Sequence, residues 1–185
     1  MAESPTECVV AESGRRPLRY QIVVIAGSPA DVVSRAGGWL FDRAMSGWDV
    51  TVAVASPGDT RPLSILGLGV VDLGCVLNCR RQVPVPQAFA VAGELTEFGE
   101  PAREWAYRYM GSARTDVRLW GESGCDETIF AQASPTQYTP SVAARAFKAR
   151  ALESAGIGPP VVEAESFRAV VGPADESGVR TFPAC

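Results

Sequence analysis

The feature that most constrains this fold is an apolar strand that leads directly into a helix. Tyr20 to Ala26 is a β-branched, apolar run that ends at Gly27, a pattern typical of a strand buried on both faces. Ser28 then provides an N-cap hydroxyl and a proline follows it, which together predict a helix from about Pro29 to Met45. A buried strand followed at once by a helix begins a β-α-β unit, so the sequence favours a parallel sheet.

The alternation of strand and helix patterns continues along the chain. The other predicted strands are Trp48 to Ala55, Gly69 to Leu73, Gln87 to Ala92, Thr115 to Trp120 and, as an edge strand, Phe167 to Val171. The other predicted helices are Thr60 to Leu66, Pro101 to Gly111 and Pro140 to Ser154, while 74–86 and 121–138 are predicted loops. For the Ala-rich fourth segment, Gln87 to Ala92, a helix is the alternative prediction to a strand. The pattern predicts an α/β fold, a Rossmann-like three-layer sandwich with a mostly parallel sheet of about five strands.

Domain organisation follows from length and polarity. A chain of 185 residues has the usual size of one domain. Residues 1–17 and 172–185 are too polar to offset the entropy of ordering, so we expect flexible tails around a single domain at 18–171.

Composition excludes several kinds of chemistry. The chain contains no histidine, which excludes Ser-His-Asp and Cys-His catalysis and zinc sites with histidine ligands, so no metal site is predicted. Its five cysteines are an odd number at scattered positions, which favours free thiols over a disulfide framework. No nucleotide fingerprint follows the first strand, and no P-loop lysine is present, so the cofactor is unknown.

Charge and hydropathy narrow the candidate partners. A formal net charge of −4 argues against a broad basic surface for nucleic acid. Apolar runs are much shorter than the roughly 20 residues of a membrane span, and the N-terminal residues lack a secretion signal, so a cytoplasmic location is expected. The remaining candidate partners are a small anionic ligand and another protein.

The candidate ligand site lies at the carboxyl ends of the strands. If the strand order is 3-2-1-4-5, the direction in which successive strands are added reverses between strands one and four. Ligands bind at such a switch point, where Gly27, Ser28 and Asp31 would face Glu94. Free N–H groups at the helix start favour anions there, although capping alone also accounts for these residues. Asp72, at the end of strand three, is the fifth candidate, and it fits a cap of the following turn equally well.

The glycines of the first helix, the basic residues of the last helix and the tryptophans each lead to a further prediction. Gly37 and Gly38 each cost roughly 1 kcal/mol relative to alanine in a helix, which predicts close packing of that helix on the sheet. The last helix is basic through Arg145, Lys148 and Arg150, a surface for an acidic partner or simply a solvated face. The four tryptophans are predicted to pack in the core.

Three functions remain open from sequence. The first is a non-catalytic small-anion or nucleotide-binding or regulatory module, because the predicted fold suits small anions and the usual catalytic sets are missing. The second is a transferase or hydrolase for a phosphorylated or nucleotide-like substrate, with Asp31, Asp72 or Glu94 as base and Ser28 at the phosphate. The third is a module that binds a protein partner.

Overall fold

The computed structural model describes residues 19–78, 86–92, 98–110, 115–121, 133–158 and 163–170. The strands are β1 Gln21–Ala26, β2 Asp49–Val54, β3 Gly69–Asp72, β4 Ala88–Ala92, β5 Asp116–Trp120, β6 Ala133–Tyr138 and β7 Glu165–Val170. The helices are α1 Pro29–Met45, α2 Arg61–Ile65, α3 Leu73–Asn78, α4 Glu100–Met110 and α5 Val142–Ser154. The predicted tails at 1–17 and 172–185 lie outside the described residues.

One mixed sheet organises the fold, with strand order β3-β2-β1-β4-β5-β7-β6. The first five of these strands are mutually parallel, which confirms the α/β class, the order 3-2-1-4-5 and the fourth strand. The predicted count of about five strands is wrong, because β7 pairs antiparallel with β5 and β6 pairs antiparallel with β7. β7 is therefore an interior strand, and β6 forms the edge, where its Pro135 is tolerated.

Helices cover both faces of the sheet, and each face has its own core. Ile22 and Val24 of β1 pack toward α1, α2 and α5, while Val23 and Ile25 pack toward α3 and α4. β4 is buried along its whole length. Burial on both faces explains why these strands are continuous apolar runs in the sequence.

Two sequence predictions about helices are wrong. The segment after β3 forms α3 where a loop was predicted. α5 begins at Val142, with Ser141 as its cap, and not at the predicted Pro140. The buried residues of α5 are Ala144, Lys148, Ala151 and Leu152.

The two glycines of α1 allow close packing against other segments of the chain. A Cβ on Gly38 would lie 2.6 Å from Cγ of Pro140 and 3.0 Å from Oε1 of Glu165. A Cβ on Gly37 would meet only side chains, with Cδ1 of Leu66 the nearest at 3.2 Å. The close approach at Gly38 is thus to the Pro140 ring and to Glu165 of the sheet strand β7, whereas Gly37 faces side chains of the helical layer.

We expect Gly38→Ala to destabilise the protein by about 1–3 kcal/mol, because the clash with a proline ring exceeds the gain in helix propensity. Gly37→Ala is the matched control and should cost less, since the end of a leucine side chain can move. Urea unfolding of both variants measures the difference. Equal stability of the two variants would contradict this account of Gly38.

Candidate functional site

The loop between β1 and α1 places Gly27, Ser28 and Asp31 together at the carboxyl end of the parallel strands. Ser28 Oγ accepts a hydrogen bond from the backbone N–H of Asp31 at 3.4 Å, so the predicted N-cap is confirmed. A Cβ on Gly27 would lie 3.9 Å from Phe98, which places that ring against the loop. The start of α1 is thus a fixed, partly covered corner of the sheet edge.

Asp31 brings a negative charge to this corner, and its carboxylate accepts two side-chain hydrogen bonds. Its Oδ2 accepts from Trp120 Nε1 at 3.2 Å, and its Oδ1 accepts from Arg35 Nε at 3.0 Å. The Asp31 side chain remains 34% exposed. Such a carboxylate is oriented by the protein and still reachable by water, as general acid–base chemistry requires.

Trp120 is the residue that sequence reasoning missed. The prediction that it packs in the core is confirmed, since it is 5% exposed. Its indole N–H nevertheless reaches a carboxylate 89 positions earlier in the chain. No sequence spacing signals this contact, because it depends on β5 lying two strands from β1 in the sheet.

Aromatic rings back the indole of Trp120. Its ring packs edge-to-face on Phe167 at 5.8 Å, and Phe167 packs edge-to-face on Trp39 at 5.5 Å. The guanidinium of Arg118 lies over Trp39, 4.5 Å from the ring centroid, and burial lowers the pKa of Arg118 from its ordinary value. The wall behind Asp31 is therefore aromatic and densely packed, and it includes one buried guanidinium.

Of the other two candidates, Asp72 does not join this corner. Asp72 ends β3, and β2 separates that strand from β1. Its Oδ1 accepts from the backbone N–H of Cys75 at 2.8 Å, so it caps α3, the alternative that the sequence left open. Glu94 lies outside the described residues.

The next feature is the set of side chains in the described residues that could bind a metal ion. Within them, no three Asp, Glu, Cys or His side chains gather in a way that could hold a metal ion. Among the described residues of the corner there are one carboxylate and one serine hydroxyl, fewer than the three protein ligands of a catalytic zinc site. Cys75, the cysteine described by the structure, is half-buried in α3.

A second polar cluster lies at the C-terminal end of α1. Asp42 accepts hydrogen bonds from the Tyr138 hydroxyl at 2.8 Å and from the backbone N–H of Ser141 at 2.9 Å. Burial and the adjacent Asp42 carboxylate raise the pKa of Tyr138 to about 12. This cluster joins α1 to β6 and to the start of α5.

Lys148 does not belong to an exposed basic face. It is buried, and its Nζ lies 2.5 Å from Oε1 of Glu165 in β7. Arg145 and Arg150 of the same helix are exposed. The prediction of a three-residue basic surface on this helix is therefore wrong for its lysine.

Comparisons with known proteins identify the fold. No protein-family model matches the sequence, and no curated protein is similar enough to be a relative. Among solved structures, a deacetylase triple mutant involved in the teicoplanin biosynthetic pathway matches with a TM-score of 0.56 and 16% identity, over 84% of this chain and 99% of that one. The A40926 pseudoaglycone deacetylase Dbv21 covers 85% of this chain and 100% of its own, at 14% identity and a TM-score of 0.47. The hydratase GalB from Pseudomonas putida covers 86% and 100%, at 14% identity and 0.48.

The first of these structures corrects the leading functional prediction. A non-catalytic binding or regulatory module was predicted because the fold suits small anions. That prediction is wrong, since the fold shared over 84% of this chain is that of a deacetylase, a hydrolytic enzyme.

None of the described helices is both long and apolar enough to span a membrane.

The raised pKa of Tyr138 predicts a pH effect on stability. Because the fold retains the phenolic proton, this contribution is complete below the ordinary pKa of 10 and is lost as pH rises toward about 12. The stability advantage of wild type over Tyr138→Phe should therefore shrink over that interval. Urea unfolding of both proteins from about pH 8 to about pH 12 measures it. A constant difference would contradict the assignment.

The buried ion pair predicts a large effect of a single substitution. Lys148→Met leaves the Glu165 carboxylate buried without its cation, so we expect a loss of about 3 kcal/mol or more. Arg150→Met is the matched control, because its pair with Glu153 is exposed and should be worth less than about 1 kcal/mol. Denaturant unfolding compares the two, and similar losses would refute this view of Lys148.

Proposed function

We propose that this protein is a hydrolase that cleaves an N-acyl group, with Asp31 as the base that activates water. The observation that supports the proposal is the carboxylate of Asp31 at the start of α1. It is partly exposed to solvent and accepts hydrogen bonds from Trp120 and Arg35. Ligands of open α/β sheets bind beyond the carboxyl ends of the strands, and this carboxylate lies at that edge.

The surroundings of Asp31 favour an acyl group over a phosphate. A carboxylate at the corner repels phosphate. The positive end of the α1 dipole favours the negative charge that develops on a carbonyl oxygen under attack. A solved structure that shares this fold is a deacetylase, which supports an N-acetyl substrate.

The proposed reaction needs one base and water. Asp31 accepts a proton from a water molecule as the water oxygen bonds to the acyl carbon. The carbon–nitrogen bond then breaks, and the proton passes from Asp31 to the leaving nitrogen. The products are a carboxylic acid and an amine, so atoms and charges balance without a further reactant.

The test is amine release from a panel of N-acetylated amino sugars and N-acyl amino acids. Asp31→Asn should lower the rate about 100-fold or more, because an amide cannot take the proton. Asp72→Asn is the matched control, since it alters a carboxylate at the same sheet edge that caps α3, and it should leave the rate unchanged.

Two results would overturn the proposal. Equal rates for wild type and Asp31→Asn would remove Asp31 as the base. Failure of folded wild type to release amine from any compound in the panel would remove the N-acyl substrate class.

A further inference from the structure

The two hydrogen-bond donors of Asp31 differ in how firmly they are held. Arg35 is a neighbour of Asp31 on the same helix, four positions along, and its side chain is 50% exposed. An exposed pair of this kind is screened by salt and contributes only a few tenths of a kcal/mol. Arg35 therefore restrains Oδ1 weakly.

Trp120 is a firmly held donor. It ends β5 and is paired in register with Ala92 of β4. Its ring is buried against Phe167, which is buried in turn against Trp39. An indole in such packing has no alternative rotamer of comparable energy, so the direction of its N–H is fixed by the core.

We infer that Trp120 is the positioning residue of the site, fixing the rotamer of Asp31 so that one oxygen is directed to water. This inference rests on the proposed hydrolase function. The indole N–H occupies one acceptor position of Oδ2, and the Ser28 cap fixes the backbone of Asp31. With one oxygen oriented by the core, the remaining exposed surface of the carboxylate is presented in a single direction.

The matched variants are Trp120→Phe and Trp105→Phe. Both replace a tryptophan that packs edge-to-face on a phenylalanine at 5.8 Å, Phe167 for Trp120 and Phe89 for Trp105. Trp105 belongs to α4, on the opposite face of the sheet. Both substitutions shorten an indole to a phenyl ring, in a buried position for Trp120 and a half-buried one for Trp105, and only the first removes the donor to Asp31.

Kinetics on an N-acetylated substrate separate positioning from packing. A misdirected base costs about 10- to 100-fold in kcat. We expect that loss in Trp120→Phe with KM unchanged, and no loss in Trp105→Phe. Equal kcat values for wild type and Trp120→Phe would overturn the positioning role, as would equal losses in the two variants.

A spectroscopic measurement tests the hydrogen bond without any substrate. The four tryptophans give four indole N–H signals in a proton–nitrogen correlation spectrum, and the signal missing in Trp120→Phe identifies the one of interest. Asp31→Asn should shift that signal and leave the Trp105 signal in place. An unmoved Trp120 signal overturns the inference even if hydrolysis is found, whereas absence of hydrolysis in wild type refutes the proposed function whatever the spectrum shows.

Discussion

The architecture depends on one buried carboxylate, Glu165 at the start of β7. It accepts hydrogen bonds from the backbone N–H groups of Gly38 and Trp39, each at 2.8 Å, and from the ammonium of Lys148. A buried carboxylate is tolerated only when its acceptor positions are filled, so these groups must come together for the protein to fold. The same carboxylate, together with the closer ring of Pro140, leaves no room for a Cβ on Gly38.

Fixing β7 against α1 also builds the wall of the candidate site. Phe167 lies two residues after Glu165, and it packs between Trp39 of α1 and Trp120 of β5. Trp120 in turn donates to Asp31. The orientation of the proposed base is thus coupled, through packed rings, to an antiparallel strand added beyond the parallel part of the sheet.

Sequence reasoning succeeded where the signals are local. The bounds of α1 follow from Ser28 and Pro29 at one end, and the buried strands follow from their continuous apolar runs. It failed for β6, whose exposed, polar residues and Pro135 lack strand alternation. It also misjudged α5, because a lysine on a helix is ordinarily solvated and only Glu165 makes burial of Lys148 favourable.

For the candidate site, the sequence by itself determined the corner of Gly27, Ser28 and Asp31, since a strand, a cap and a helix start are contiguous signals. It also determined which chemistry is excluded, because a chain without histidine cannot use an imidazole. Only the tertiary structure decided that Trp120 orients Asp31 and that Asp72 caps α3 instead. Those contacts depend on strand order and side-chain packing, which arise from the whole fold and not from any local run of residues.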